Sequence, residues 1–371
     1  KRKAFPVFRA ESSPDGMKKV LVAPDSFKGS LTSAQVAECV AEALQGCGYD
    51  VMTLAVSDGG EGFCRIVTSA LGGSFRDCHV HDPLGRLIRA SYGVAEADAA
   101  LFGEEGGRRQ CAVIDVASAS GLTLLRSGEL DPWNATTFGT GELIRHAVRQ
   151  GRSHILLGLG GSATVDCGFG MLAALEEEEL LHDVRILAAA DVKAPLCGPQ
   201  GAALCFARQK GAGEELIARL EERNRRRGRL LEQRCGHSVM DESGAAAAGG
   251  LGAAVLSLPH GRVVPGTELV LDILHFDDLL ADCCLVVTGE GKADSQTLLG
   301  KAPFVIARKA QQQNVPCILL AGRVMLTKEE INLSPWRKVI CVTPDTMREE
   351  ALDKLYDAYI ALVKGGVKSY M

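Results

Sequence analysis

Val20-Leu21-Val22-Ala23 is an unbroken apolar run, and a short run of that kind fits a strand buried on both faces. It stops at Pro24. After Asp25-Ser26-Phe27-Lys28-Gly29-Ser30, apolar residues recur at helical spacing: Ala34, Val36, Ala37, Val40, Ala41 and Leu44. A buried strand feeding directly into a helix predicts a largely parallel sheet covered by helices. In such sheets ligands sit in the crevice beyond the carboxyl ends of the strands. The helix start adds free N–H groups and a positive dipole end, which suit phosphate. Asp25, Ser26 and Lys28 are therefore candidates for holding a small anionic substrate.

The rhythm repeats. Residues 51–56 read as a second parallel strand, ending in Ser57-Asp58-Gly59-Gly60-Glu61-Gly62 before another helix. The texture then changes. Residues 74–80 and 87–94 alternate about Asp82-Pro83-Leu84-Gly85, which predicts a hairpin. Strands follow over 111–116 and 155–159, with a helix opened by 136–142 between them. From about Leu269 the α/β rhythm returns: strands over 284–288, 317–320 and 339–342, and helices over 303–312 and 349–363. The expected fold is α/β, with one doubly wound parallel sheet (17–72 and 266–371) and a second α/β domain inserted over 73–265. Residues 1–16 are polar and aperiodic, and Met17-Lys18-Lys19 reads as a native start, so 1–16 are expected to be an extension.

Composition narrows the function classes. With 371 residues, 46% hydrophobic and 23% charged, the chain has room for about two globular domains. A net charge of −5 and only 5% aromatic residues argue against a nucleic-acid surface and favour small molecules. No apolar run is long enough to cross a bilayer. The 13 cysteines form no Cys-x-x-Cys pair and read as thiols in a reducing compartment, so the expected location is cytoplasmic. Lys368-Ser369-Tyr370-Met371 is at best a degenerate peroxisomal-type address. His79-x-His81 lacks an acid or cysteine at ligand spacing, so a zinc site is not expected. Seven arginines between Arg219 and Arg234 are interleaved with glutamates, which predicts an exposed, salt-bridged helix.

The chemistry is concentrated in five polar clusters at strand ends and helix starts: Asp25/Lys28, Asp58/Glu61, Ser162/Thr164/Asp166, Asp191 and Glu290/Asp294. A lone carboxylate in such a place is usually a helix cap. Five of them beside glycines point to a site, because glycine lets backbone approach a ligand and carboxylates hold Mg²⁺ or act as bases. Gly158-Leu159-Gly160-Gly161-Ser162-Ala163-Thr164 is a phosphate-loop candidate that matches neither the P-loop nor the dinucleotide fingerprint. Glu290-Gly291-Lys292-Ala293-Asp294-Ser295-Gln296-Thr297, followed by Gly300-Lys301-Ala302-Pro303, repeats the strand, acid, lysine, helix order of the first segment. There Gln296 and Thr297 are candidates for binding a carboxylate or hydroxyls.

Together these stretches resemble the type I glycerate kinase family from Met17 almost to the C-terminus. The resemblance rests on residues 23–31 (APDSFKGSL), 58–62 (DGGEG), 82–86 (DPLGR), 119–122 (ASGL), 137–144 (TFGTGELI), 158–164 (GLGGSAT), 191–192 with 195–198 (DV and PLCG), 209–212 (QKGA), 248–253 (AGGLGA), 288–291 (TGEG) and 296–303 (QTLLGKAP). It implies ATP-dependent phosphorylation of D-glycerate with Mg²⁺, giving ADP and 2-phosphoglycerate. It also implies two α/β domains, one Rossmann-like, with the active site in the cleft between them. Lys28 and Lys301 would then neutralise carboxylate or phosphate charge. Asp191 or Asp166 would accept the hydroxyl proton or hold Mg²⁺, and the 158–164 loop, with Gly160, Gly161, Ser162 and Thr164, would cradle phosphate. Asp25, Asp58, Glu61, Glu290 and Asp294 are the remaining acidic candidates, Glu290 also for the metal. The resemblance departs at Val165 and Ala194, where the family has asparagine, at Lys292-Ala293, and in a shortened stretch over 175–191. These departures leave two alternatives open: an impaired relative that binds nucleotide or a partner, or a kinase for another small hydroxy acid. Oligomeric state is not legible.

Overall fold

The computed structural model describes residues 19–25, 27, 31–46, 48–60, 62–175 and 184–342. Ser26, Lys28, Glu61 and the helix expected over 349–363 lie outside them. The chain opens with β1 (Lys19–Val22), α1 (Ser33–Gln45), β2 (Asp50–Thr53) and α2 (Phe63–Ala70). A hairpin follows, β3 (Ser74–His81) and β4 (Leu87–Asp98), then β5 (Arg108–Asp115), α3 (Ala117–Ser120), α4 (Phe138–Arg149) and β6 (His154–Gly158). Next come α5 (Phe169–Ala174), β7 (Arg185–Ala189), α6 (Ala202–Phe206), α7 (Glu214–Cys235), α8 (Ala247–Leu256), β8 (Gly261–Val264), α9 (Gly266–Ile273) and α10 (Phe276–Leu280). The last described elements are β9 (Cys283–Ala293), α11 (Ala302–Gln312), β10 (Cys317–Val324), α12 (Lys328–Leu333) and β11 (Lys338–Cys341).

The chain divides into two compact units, one joining the residues up to Val56 to those from His275, the other Ser57–Leu274. Helix α2 packs on β4, β5 and α9 and so goes with the second unit, whereas the sequence places it with the first.

The first unit is a five-stranded sheet in the order β11-β10-β9-β1-β2, parallel throughout. Val20 and Val22 of β1 are fully buried among Val36, Val40 and Leu44 of α1 and Ile318 and Leu320 of β10. Helix α1 begins where Thr32 and Gln35 form a capping box, and Ser33 Oγ ties it back to the Pro24 carbonyl at 2.7 Å. Strand β9 is longer than expected. It pairs with β10 as far as Arg323↔Lys292 and Val324↔Ala293, so Glu290 lies within the strand rather than in the loop after it.

The second unit is a six-stranded sheet in the order β3-β4-β5-β6-β7-β8. The hairpin half is antiparallel, and β5 to β8 are parallel. Every residue of β6 is buried, as a central parallel strand requires. The register Asp115↔Gly158↔Ala189 brings the ends of β5, β6 and β7 level, so the segments that follow them leave the sheet side by side.

Candidate active site

The turn at 57–60 meets the glycine loop after β6 within the second unit. Gly160 N–H donates to the Gly59 carbonyl at 2.9 Å, and a Cβ on Gly160 would lie 2.2 Å from the Gly60 Cα. Glycine is thus required at 160 by contact with a neighbouring loop rather than by a ligand. Asp58 Oδ1 accepts from Gly60 N–H at 2.9 Å and holds this turn. On the other side of the loop, Leu122 N–H donates to the Gly161 carbonyl at 2.9 Å and Ala163 N–H to the Ser120 carbonyl at 2.8 Å. The N–H groups of Gly161 and Ser162 find no acceptor among the described residues, which leaves two adjacent donors for an anion.

Asp191 stands just past β7. Thr267, in the first turn of α9, donates to it from its N–H (3.2 Å) and its hydroxyl (2.5 Å). Burial, joined by the charge of Asp58, lifts the Asp191 carboxyl to about 6 against those bonds. A buried carboxyl titrating near neutrality at a strand end is equipped to take a proton from a hydroxyl.

Asp166 is arranged differently. Its Oδ2 accepts from Thr137 N–H (2.9 Å), Thr137 Oγ1 (2.8 Å) and Gly170 N–H (3.1 Å), and its Oδ1 from Gly168 N–H (3.2 Å). Thr137 Oγ1 in turn accepts from Met171 N–H at 2.9 Å, so the pair ties the start of α4 to the start of α5. The same loop is gripped from α7. Arg223 donates to the carbonyls of Val165 (3.0 Å) and Trp133 (2.6 Å), and Arg227 to that of Asp166 (2.8 Å). Arg223 also stacks on the Trp133 ring at 4.3 Å, and burial lowers its pKa to about 10. Of the salt bridges expected within this helix, Arg225 pairs with Glu221 and Glu222.

In the first unit Glu290 is 5% exposed. Lys301 Nζ lies 3.9 Å from its Oε2 and 3.8 Å from Asp294 Oδ1, and Lys292 Nζ lies 2.8 Å from Asp294 Oδ2. Burial pushes the Glu290 carboxyl up to about 7; Thr297 and Lys301 oppose the shift, while the Asp25 and Asp294 charges reinforce it. Its Oε1 has no hydrogen-bond partner among the described residues. Thr297, expected to face a ligand, is fully buried and its hydroxyl accepts from Asp294 N–H at 3.0 Å. Gln296 is exposed, and its N–H caps Asp294 at 3.1 Å. Asp25 N–H donates to the Gly289 carbonyl at 2.8 Å, which fixes the segment after β1 to β9.

A family model described as the glycerate kinase family matches residues 20–180 and 176–363. The chain belongs to the glycerate kinase family. It is 36% identical to the glycerate kinase of Haemophilus influenzae over 334 residues, covering 82% of this chain and 85% of that one. It is 34% identical to the glycerate 2-kinase of Escherichia coli K12 over 334 residues, with the same coverage. A solved structure from Salmonella typhimurium LT2, assigned as a glycerate kinase 2, superposes with a TM-score of 0.74 at 32% identity, covering 94% of this chain and 99% of that one. The chain is accordingly a kinase of α/β fold.

Two departures from the glycerate kinase pattern can be placed. Val165 is fully buried in an apolar cluster with Ala203, Ala207, Ala212, Ile217 and Leu220. Ala194 packs partly buried against the second unit's core, and its carbonyl accepts from Ala246 N–H at 3.1 Å. Neither presents a polar group. The shortened stretch falls mainly on 176–183, outside the described residues. Three side chains that shape the second-unit site have no site role in the sequence reading: Thr267, Thr137 and Lys210. Thr137 and Lys210 fall inside family-matching stretches, which was the one available signal.

Among the described residues no three His, Cys, Asp or Glu side chains are grouped to hold a metal, and no helix is long and apolar enough to cross a membrane.

Proposed function

We propose that this chain phosphorylates the 2-hydroxyl of D-glycerate with ATP, and that Asp191 receives the hydroxyl proton. The observation that carries the role of Asp191 is its setting: a buried carboxyl lifted to about 6, aimed by Thr267 and lying beyond the strand next to the glycine loop. Phosphoryl transfer asks little of a protein beyond placement and charge neutralisation. The paired N–H groups of Gly161 and Ser162 supply donors for phosphate oxygens. Asp166, its oxygens occupied by the starts of two helices, braces the loop. Lys301 neutralises anionic charge, and Asp25, Asp58 and Asp294 set the field around the two buried acids. The 2-position follows the name of the E. coli relative.

Mg²⁺ fits this donor set. It keeps several waters and takes one or two carboxylates plus substrate phosphates, so a three-ligand protein cage is not required. Glu290, whose Oε1 has no hydrogen-bond partner among the described residues, would be its carboxylate ligand. When bound, it neutralises phosphate charge as the leaving group departs.

The test is ADP release from ATP and Mg²⁺ with D-glycerate, and phosphorus NMR of the product. Turnover to 2-phosphoglycerate is expected. ATP binding without turnover would overturn the kinase reading, and 3-phosphoglycerate would overturn the regiochemistry.

A further inference from the structure

Lys210, in the 3-10 turn Arg208–Lys210, is only 3% exposed. A buried ammonium normally has a carboxylate against it, because desolvating an unpaired charge is costly. Among the described residues Lys210 makes no ion pair within 4.0 Å; its Nζ donates to Ser162 Oγ at 2.8 Å and to the Thr164 carbonyl at 2.7 Å. The charged group it feels is Asp166, whose carboxylate is already occupied by Thr137, Gly168 and Gly170. The helix packed on this turn, α6, carries no acid, base or histidine, and its single thiol, Cys205, is exposed. The positive charge therefore lies beneath the glycine loop with no ion-pair partner among the described residues.

The hydrogen bonds have a direction. An ammonium has only donors, so Ser162 Oγ accepts from Lys210 and its own proton must point elsewhere. No acceptor for that proton is found among the described residues. Three donors are then grouped on two residues: the N–H groups of Gly161 and Ser162 and the Ser162 hydroxyl.

We propose that Lys210 is a positioning residue for phosphate: it turns the Ser162 hydroxyl into a donor toward a nucleotide phosphate on the glycine loop, and that phosphate supplies a counter-charge to the buried ammonium. This rests on the glycine loop's being the phosphate cradle. It adds a coupling between binding and protonation. Burial lowers the Lys210 pKa to about 7. An anion above it favours the charged form and raises that value, so binding must take up a proton at a pH above about 7.

The experiment is calorimetric titration of the full chain with ATP and Mg²⁺ at pH 8 in two buffers of different ionisation enthalpy, where the nucleotide phosphates are already ionised. Uptake of a substantial fraction of a proton is expected for the wild type and none for Lys210→Met. Lys210→Met is expected to weaken ATP binding on the order of tenfold at pH 7. Ser162→Ala is expected to weaken it less, and to add little on top of Lys210→Met. No proton uptake by the wild type overturns the proposal without any variant. So does ATP affinity within twofold of wild type in Lys210→Met, or two losses that multiply independently. These titrations read binding alone. If they succeed while glycerate turnover is absent, the kinase reading fails and this one stands; if turnover is present and uptake is not, the reverse holds.

Discussion

Asp166 and Asp191 both follow parallel strands of the second sheet, yet their surroundings are opposite. Five donors converge on Asp166, and they belong to the starts of two helices. Asp191 has Thr267 as its side-chain donor and feels the charge of another carboxylate, Asp58. The first acid holds a loop in shape; the second keeps a proton within reach of neutral pH. Residue type and strand-end position are the same in the two cases. The neighbours that donate to each carboxyl make the difference.

The largest expected effect is on Asp166. Asp166→Ala leaves buried donors at Thr137, Gly168 and Gly170 without an acceptor, and should cost about 3–5 kcal/mol of stability, measured by urea unfolding. If the loss is under about 1 kcal/mol, Asp166 is not the brace and the contrast fails. Asp191→Asn comes next. It should fold normally and lose a hundredfold or more in kcat, about 3 kcal/mol of barrier. In the wild type, kcat should climb with pH through about 6 as Asp191 deprotonates, and this limb should vanish in the variant. A rate within a few-fold of wild type would remove Asp191 from the proton path.

Glu290→Gln gives the smallest effect and carries the comparison into the first unit. Glu290 is raised to about 7 in the folded protein, so between its unfolded value and 7 the native state holds the extra proton. Stability contributed by this group therefore falls as pH rises through that window. The glutamine variant should be more stable than wild type by about 1–2 kcal/mol at pH 8 and indistinguishable at pH 4. Equal stability at both pH values would show that Glu290 is not held as a buried acid.

Much of the framework was legible because parallel strands buried on both faces read as continuous apolar runs, as at 20–23 and 155–159, and because the 74–94 hairpin alternates. The end of β9 was not legible. Polar Glu290 and Lys292 read as loop, and only pairing with β10 keeps them extended. The site divided along the same line. Residue types announced Asp191 and Glu290, whereas the donor that aims Asp191 lies far along the chain; Thr267 is 76 residues from it. Lys210 in Gln209-Lys210-Gly211 looks like a surface lysine until the glycine loop closes over it. Arg223 looks like one charge among seven, though it reaches the Val165 carbonyl 58 residues away. Val165, which the sequence places among site residues, is core because α6 and α7 supply apolar partners.

The strand order of the first sheet has a consequence for synthesis. β1 lies between β2 and β9, and β9 begins only at Cys283. On the ribosome, at about 5–20 residues per second, β1 waits tens of seconds with one edge unpaired. During that interval the second unit, whose chain is continuous from Ser57 to Leu274, emerges whole and has all of its strands in hand. The nascent protein therefore completes its later-starting unit first, and its N-terminal strands pass through a period of exposed edges in which holding by a chaperone has the greatest effect.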